Sequence, residues 1–156
     1  MIRYATPDDV PAILRLIREL ADYERALHEV KVTEDQLRER LFGDDPKVFA
    51  HVAEHDGRVV GFAVWFFTFS TWNGTHGIYL EDLFVDPECR GGGHGKALLT
   101  ELTRIADDRG YERVEWAVLN WNTPAIGFYE ALGARPQDEW TVYRLTGDAL
   151  TKAARS

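Results

Sequence analysis

Cysteine is almost absent from this chain: its 156 residues hold one, Cys89, and a single Met. A lone thiol excludes an internal disulfide framework and any zinc site built on several cysteines. Basic excess is lacking too. Lys plus Arg number 18 against 26 Asp plus Glu, a net charge of -8. That balance argues against nonspecific adhesion to nucleic acid or anionic lipid, and for cationic partners. No apolar run reaches membrane-spanning length; the longest, near Val59 to Phe69, is aromatic and suits a strand. Tracts of Pro, Gly or Ser, charge blocks and internal repeats are missing, so a single domain over residues 1–156 is expected. The N-terminal Met1-Ile2-Arg3-Tyr4 lacks the layout of a secretory signal, and a cytoplasmic protein is the expectation.

What is present is the mixture of a globular domain, 45% apolar and 28% charged. Ile2 to Ala5 reads as a strand. Thr6-Pro7-Asp8-Asp9 then starts a helix, with an N-cap, a proline at the first position and acids in the first turn. Val10, Ile13, Leu14, Ile17, Leu20 and Ala21 keep helical spacing, predicting a helix to about Arg25. Thr33 with Gln36 forms a capping box that opens a second helix through Leu41. Val48 to Glu54 and Arg58 to Phe69 read as strands joined at Asp56-Gly57, followed by a strand over Ile78 to Val85. A helix is expected from about Gly95 to Arg109, a strand at Val114 to Leu119, a short helix at Pro124 to Leu132 and a last strand at Trp140 to Leu145. The class is therefore α/β (α+β), a mixed, mainly antiparallel sheet flanked by helices.

The richest segment is Asp82-Leu83-Phe84-Val85-Asp86-Pro87-Glu88-Cys89-Arg90-Gly91-Gly92-Gly93-His94-Gly95-Lys96-Ala97. It runs strand, glycine loop, helix. Glycines let backbone amides approach a ligand, and a helix start offers unpaired N–H groups to phosphate. A Walker-type loop is excluded by Arg90 five residues before Gly95 and by Ala97 after Lys96. A dinucleotide fingerprint starting at Gly91 fails at Lys96, where a third glycine belongs.

Arg90-x-x-Gly93-x-Gly95 matches the pyrophosphate loop of acyl-CoA N-acetyltransferases, and the chain resembles the GNAT superfamily. It is most similar to the spermidine/spermine (diamine) branch. Ile13 to Glu24 resembles that branch's first helix, Tyr79 to Val85 its central strand, and Asn120 to Tyr129 its last CoA-contacting segment. The resemblance implies a GNAT-like fold and an enzyme that moves an acetyl group directly from acetyl-CoA, without a metal, to a primary amine of a polyamine, diamine or lysine-like amino acid. It further implies a homodimer. Pantetheine would lie along Leu83, Phe84 and Val85, with pyrophosphate on Gly91, Gly92, Gly93, His94, Gly95 and Lys96, Arg90 at the entrance, and Asn122, Pro124 and Ala125 completing the cofactor side. Tyr129 would protonate the departing sulfur and Glu81 would serve the amine as base or water-orienting group. Tyr23, Glu24, Glu81, Glu115, Trp116 and Ala117 would bind the substrate.

Plainer readings compete. A glycine loop alone is often a turn, and Tyr129 beside Phe128 on a short helix is also what a half-buried core tyrosine looks like. Alternation along a strand places Glu81 and Asp82 on opposite faces, so one pocket is expected to use only Glu81. His51 and His55 are four apart on a strand, without helical metal-ligand geometry. Cys89 has no identifiable partner histidine, and direct transfer needs no thiol. Trp65, Phe66, Phe67, Phe69 and Trp72 suit either a ligand wall or a strand with one face in the core and one at a dimer seam. A tight His55-Asp56-Gly57-Arg58 connection and Arg25 after Glu24 depart from the diamine branch. A CoA-binding sensor without catalysis and a protein N-acetyltransferase are the alternative functions.

Overall fold

The computed structural model describes all residues, Met1–Ser156. Its contacts divide into two compact units, Met1–Ala117 and Val118–Ser156.

The first unit is built on a five-stranded sheet in the order β1 (Ile2–Tyr4), β2 (Phe49–His55), β3 (Arg58–Ser70), β4 (Thr75–Val85), β5 (Val114–Glu115). The first three pairings are antiparallel and β4–β5 is parallel. This is the mixed, mainly antiparallel sheet read from the sequence. The β2–β3 turn is tight because Asp56 and Gly57 both take positive φ, 51° and 74°, as a two-residue hairpin requires. Two helices, α1 (Val10–Tyr23) and α2 (Glu34–Phe42), cover one sheet face, and α3 (His94–Asp108) packs against the strands as well.

Helix α1 begins where Asp9 gathers partners. Its carboxylate accepts from the Thr6 amide at 2.7 Å and from the Arg3 guanidinium at 2.7 and 3.0 Å. Burial works against the charge, yet Arg3 and Thr6 hold the Asp9 carboxyl below the usual range. Ile13 and Leu16 of α1 then pack with Val52, Phe62 and Phe84 of the sheet and Leu41 of α2. The helix stops at Tyr23 because Arg25 adopts φ 62°, and the Ala26 amide bonds back to the Ala21 carbonyl at 2.8 Å. Thr33 and Gln36 form the expected capping box at α2.

The aromatic run on β3 divides by depth. Trp65 is buried and donates its indole N–H to His51 Nδ1 at 3.0 Å, while Phe69 and Trp72 stand exposed near the β3–β4 turn. His51 Nε2 finds no acceptor, and burial pushes the imidazole's pKa down, which keeps it neutral.

Two expectations need correction. The strand placed at Val114 to Leu119 is only Val114–Glu115, since pairing with β4 covers two residues. Trp140 to Leu145 is not a strand: the alternation is there, but these residues pair with no strand, and Val142 and Tyr143 are exposed. A β pattern without a partner ladder leaves irregular backbone. The second unit holds α4 (Thr123–Ala131) and α5 (Gly147–Ala154), the latter not read from the sequence. No helix is long and apolar enough to cross a membrane.

Candidate active site

Register decides what β4 presents. Phe62 lies opposite Phe84 and Val64 opposite Asp82, but Trp65 lies opposite Leu80. Glu81 is therefore an extra residue, a β-bulge that breaks the alternation. Asp82 shares the α1 face with Val64, Phe62 and Phe84, Leu80 shares the other face with Trp65, and Glu81 stands unpaired between them. The alternation on which the expectation of opposite faces for Glu81 and Asp82 rested therefore does not run through this point.

Electrostatics agree with that placement. Burial, then the neighbouring Glu81, then Glu24 at the end of α1, push the Asp82 carboxyl up to about 6. Burial also raises Glu24. Tyr79, two residues before Glu81, is raised by burial and by the charges of Glu81 and Glu115, and Glu115 is its register partner on β5. Glu24, Glu81 and Glu115 thus belong to one acidic field around Asp82 and Tyr79. Sequence reasoning put these three in the substrate site and missed Asp82, because nothing in the residue order announces a bulge.

The glycine loop leads into α3. Gly91 and Gly93 take φ 88° and 79°, and Gly93 is the residue before the first turn of the helix. The left-handed backbone at both turns successive amides toward one side. A Cβ at either glycine would meet nothing within 4 Å, so the space over these amides is open to a ligand. The first N–H groups of α3 add to the anion cradle. The loop therefore fits the pyrophosphate the sequence suggested for it. His94 and Gly95 are half-buried and Lys96 is exposed.

Arg90 is held by more than the loop. Its Nε donates to the Val85 carbonyl at 3.2 Å, and its guanidinium carbon lies 5.1 Å from the Phe84 ring centre and 5.7 Å from that of Tyr23. It joins the cofactor loop to the end of α1, where Tyr23 and Glu24 lie. Phe84 and Val85 are buried and Leu83 half-buried, as a strand walled by the core should be. Trp116 is half-buried and Ala117 exposed just after β5. His51 and His55 are not brought together as a pair; His55 instead meets His94, with ring centres 5.5 Å apart. Cys89 lies 3.7 Å from an Arg58 nitrogen.

Within the second unit, Asn122 caps α4 by accepting from the Ala125 amide at 3.4 Å, with Pro124 in the first turn. Tyr129 is half-buried with its ring centre 5.5 Å from that of Phe128, and the Ala134 amide bonds to its carbonyl at 3.2 Å.

Clustered carboxylates at a bulged central strand suit a cationic group, and the glycine loop that opens α3 suits an anion. The Acetyltransferase (GNAT) family model matches residues 13–134. The chain belongs to the GNAT acetyltransferase family. It is 41% identical to the thialysine N-epsilon-acetyltransferase of Bos taurus, over 99% of this chain and 96% of that protein. It is 34% identical to the L-ornithine N5-acetyltransferase of Arabidopsis thaliana, over 96% of this chain and 85% of that one. Among solved structures, an integron cassette protein from the mobile metagenome of V. cholerae superposes with a TM-score of 0.83 at 27% identity, covering 100% of this chain and 98% of that one. This GNAT protein is an acetyl-CoA-dependent N-acetyltransferase, as its resemblance to the family implied.

Proposed function

We propose that this GNAT enzyme acetylates the side-chain amine of a small lysine-like amino acid, with diamines and polyamines as the competing members of one cationic class. The observation that carries the reading is the carboxylate field of Glu24, Glu81 and Glu115 around Asp82 and Tyr79. The names of the thialysine and ornithine acetyltransferases support it. Arg25, next to Glu24, adds a cation that suits a substrate carrying its own carboxylate.

In this reading Tyr23, Glu24 and Glu115 draw in the ammonium group, and Trp116 and Ala117 border it. Leu83, Phe84 and Val85 offer backbone to pantetheine, and Arg90 to Lys96 hold the phosphates, with Asn122, Pro124 and Ala125 on the cofactor side. The amine nitrogen bonds to the acetyl carbon as the carbon–sulfur bond breaks. Asp82, with Glu81 beside it, takes the proton the nitrogen sheds, and Tyr129 gives one to the departing sulfur. The chemistry closes without a covalent enzyme intermediate. Thiol release measured over a panel of ornithine, lysine, thialysine, putrescine, spermidine and a lysine-bearing peptide tests the substrate class. Turnover confined to the peptide, or absent with every amine, overturns it.

The loop assignment has its own test. At Gly95 an added methyl would meet only Val85 Cγ2, at 3.8 Å, and alanine favours the helix by about 1 kcal/mol. Gly95→Ala should therefore fold normally and yet lose at least about tenfold in CoA affinity, the worth of one obstructed hydrogen bond. Gly93→Ala is a poorer probe, because φ 79° strains any side chain there. Unchanged affinity on calorimetric titration of Gly95→Ala would remove the loop from the cofactor site.

We further propose that the protein is a homodimer, supported by the exposed Phe69 and Trp72 at the end of an aromatic run whose other members are buried or half-buried. Sedimentation is expected to show a dimer at micromolar concentration, and monomer alone would refute it.

A further inference from the structure

The β2–β3 turn brings side chains to the glycine loop that the acetyl-transfer reading leaves unused. Arg58, the first residue of β3, has Nη2 3.6 Å from Asp86 Oδ2 and 3.7 Å from Cys89 Sγ, so its guanidinium stands against the stretch that leads into the loop. Asp86 cannot neutralise it fully. That carboxylate is shared with Arg15 at 3.7 Å, and the side chain of Arg58 remains 59% exposed. His55, the last residue of β2, faces His94, which opens α3, and Asp56 Oδ2 lies 3.4 Å from His55 Nε2. A guanidinium and two imidazoles therefore line the hairpin side of an anion cradle. Arg90 is anchored on the other side of the loop, its Nε bound to the Val85 carbonyl and its guanidinium over the Phe84 and Tyr23 rings.

Coenzyme A carries more negative charge than the cradle amides can meet. Beyond the pyrophosphate it has a dianionic phosphate on the ribose 3′ oxygen, which needs donors outside the loop backbone. We propose that the β2–β3 turn supplies them: Arg58 and His55, with His94 alongside, recognise the 3′-phosphate of coenzyme A and make the enzyme selective for CoA over dephospho-CoA. The proposal rests on the reading of the glycine loop as the pyrophosphate site. A guanidinium is suited to the role, since its planar donors can engage two phosphate oxygens at once.

Calorimetric titration of the intact protein with CoA and with dephospho-CoA tests this directly, without turnover. Wild type is expected to bind CoA about 10- to 100-fold more tightly, the range for one or two charge-assisted hydrogen bonds. Arg58→Gln should remove most of that preference by weakening CoA alone, His55→Ala should remove part of it, and Arg58→Lys should restore a fraction. Both sites are at the surface, and circular dichroism verifies folding. Equal binding of the two ligands by wild type, or a preference unchanged in both variants, overturns the proposal. Parallel weakening of both ligands in Arg58→Gln also overturns it, since Arg58 would then only shape the loop through Asp86. Failure of wild type to bind either ligand has a different meaning: it removes the cofactor assignment of the loop itself.

Discussion

Asp82→Asn is expected to move activity and stability in opposite directions. Turnover should fall by about 10²- to 10⁴-fold, the range for losing a positioned proton acceptor, while the protein becomes harder to unfold at neutral pH. The second effect follows from the raised carboxyl, pushed up to about 6 by burial, then by Glu81 and Glu24. A carboxyl whose pKa is higher in the folded state than in the unfolded one binds its proton more tightly when folded. Its contribution to stability is therefore complete below about pH 4 and is lost as pH rises through 6. A shift of about two units corresponds to roughly 3 kcal/mol, and coupling among the three carboxylates makes about 1–3 kcal/mol the expected gain in Asp82→Asn at pH 7.5. The gain should vanish by pH 4. Urea unfolding at both pH values measures it. The rate profile gives the complementary sign: kcat/KM of wild type should fall on the acid side near pH 6, and that limb should be missing from the residual activity of Asp82→Asn. Glu81→Gln separates the pair, because Glu81 is exposed and its loss should bring Asp82 down by removing a like charge. The acid limb should then move to lower pH. An unaltered limb in both variants would mean that neither carboxylate handles the proton.

Why Asp82 escaped the sequence reading is a matter of registry. Alternation along a strand is a local rule, and it fails here only where the pairing of β3 and β4 shifts register, between Val64 and Trp65. The extra residue at Glu81 belongs to the pairing of two strands, which no single strand's pattern encodes. The same limit explains Trp140 to Leu145. Tryptophan, valine, tyrosine and leucine at alternate and neighbouring positions satisfy β propensity, but a strand also requires a partner edge, and these residues have none. Helix ends were easier, because the signals are local. Thr33 with Gln36 at α2 and Asn122 at α4 cap where their types suggest. The signals for α5 were legible too: Thr146 before its start, Asp148 in its first turn and Lys152 in its last. The glycine loop was the most legible part of the candidate site, since phosphate recognition by backbone, as proposed for it, depends on where glycines stand rather than on tertiary partners. Arg58 and His55 were invisible in that sense. Only folding of the β2–β3 turn carries residues 55 and 58 to a loop more than 30 positions later in the chain.

Tyr129→Phe addresses the other proton in the reaction. Breaking the thioester leaves negative charge on sulfur, and a donor placed there lowers the barrier only in the transition state. Removing one phenol hydroxyl should therefore depress kcat by about 10²- to 10⁴-fold, with the affinity for acetyl-CoA little changed. Phenylalanine keeps the ring, whose centre lies 5.5 Å from that of Phe128, so the packing of α4 should survive. If the tyrosine were only a core residue, the outcome would differ in kind. The cost would be about 1 kcal/mol of stability from one lost hydrogen bond, and turnover would stay near normal. The leaving thiol supplies a further discriminator. An acyl donor whose leaving group is a better anion needs less help from a proton donor, so a thioester of a more acidic thiol should narrow the gap between wild type and Tyr129→Phe. A purely structural tyrosine would leave that gap independent of the thiol. Steady-state kinetics with acetyl-CoA and with a thioester of the more acidic thiol, alongside thermal unfolding, separate the two outcomes. Near-wild-type kcat in Tyr129→Phe would show that water or another group protonates the sulfur and would remove Tyr129 from the mechanism.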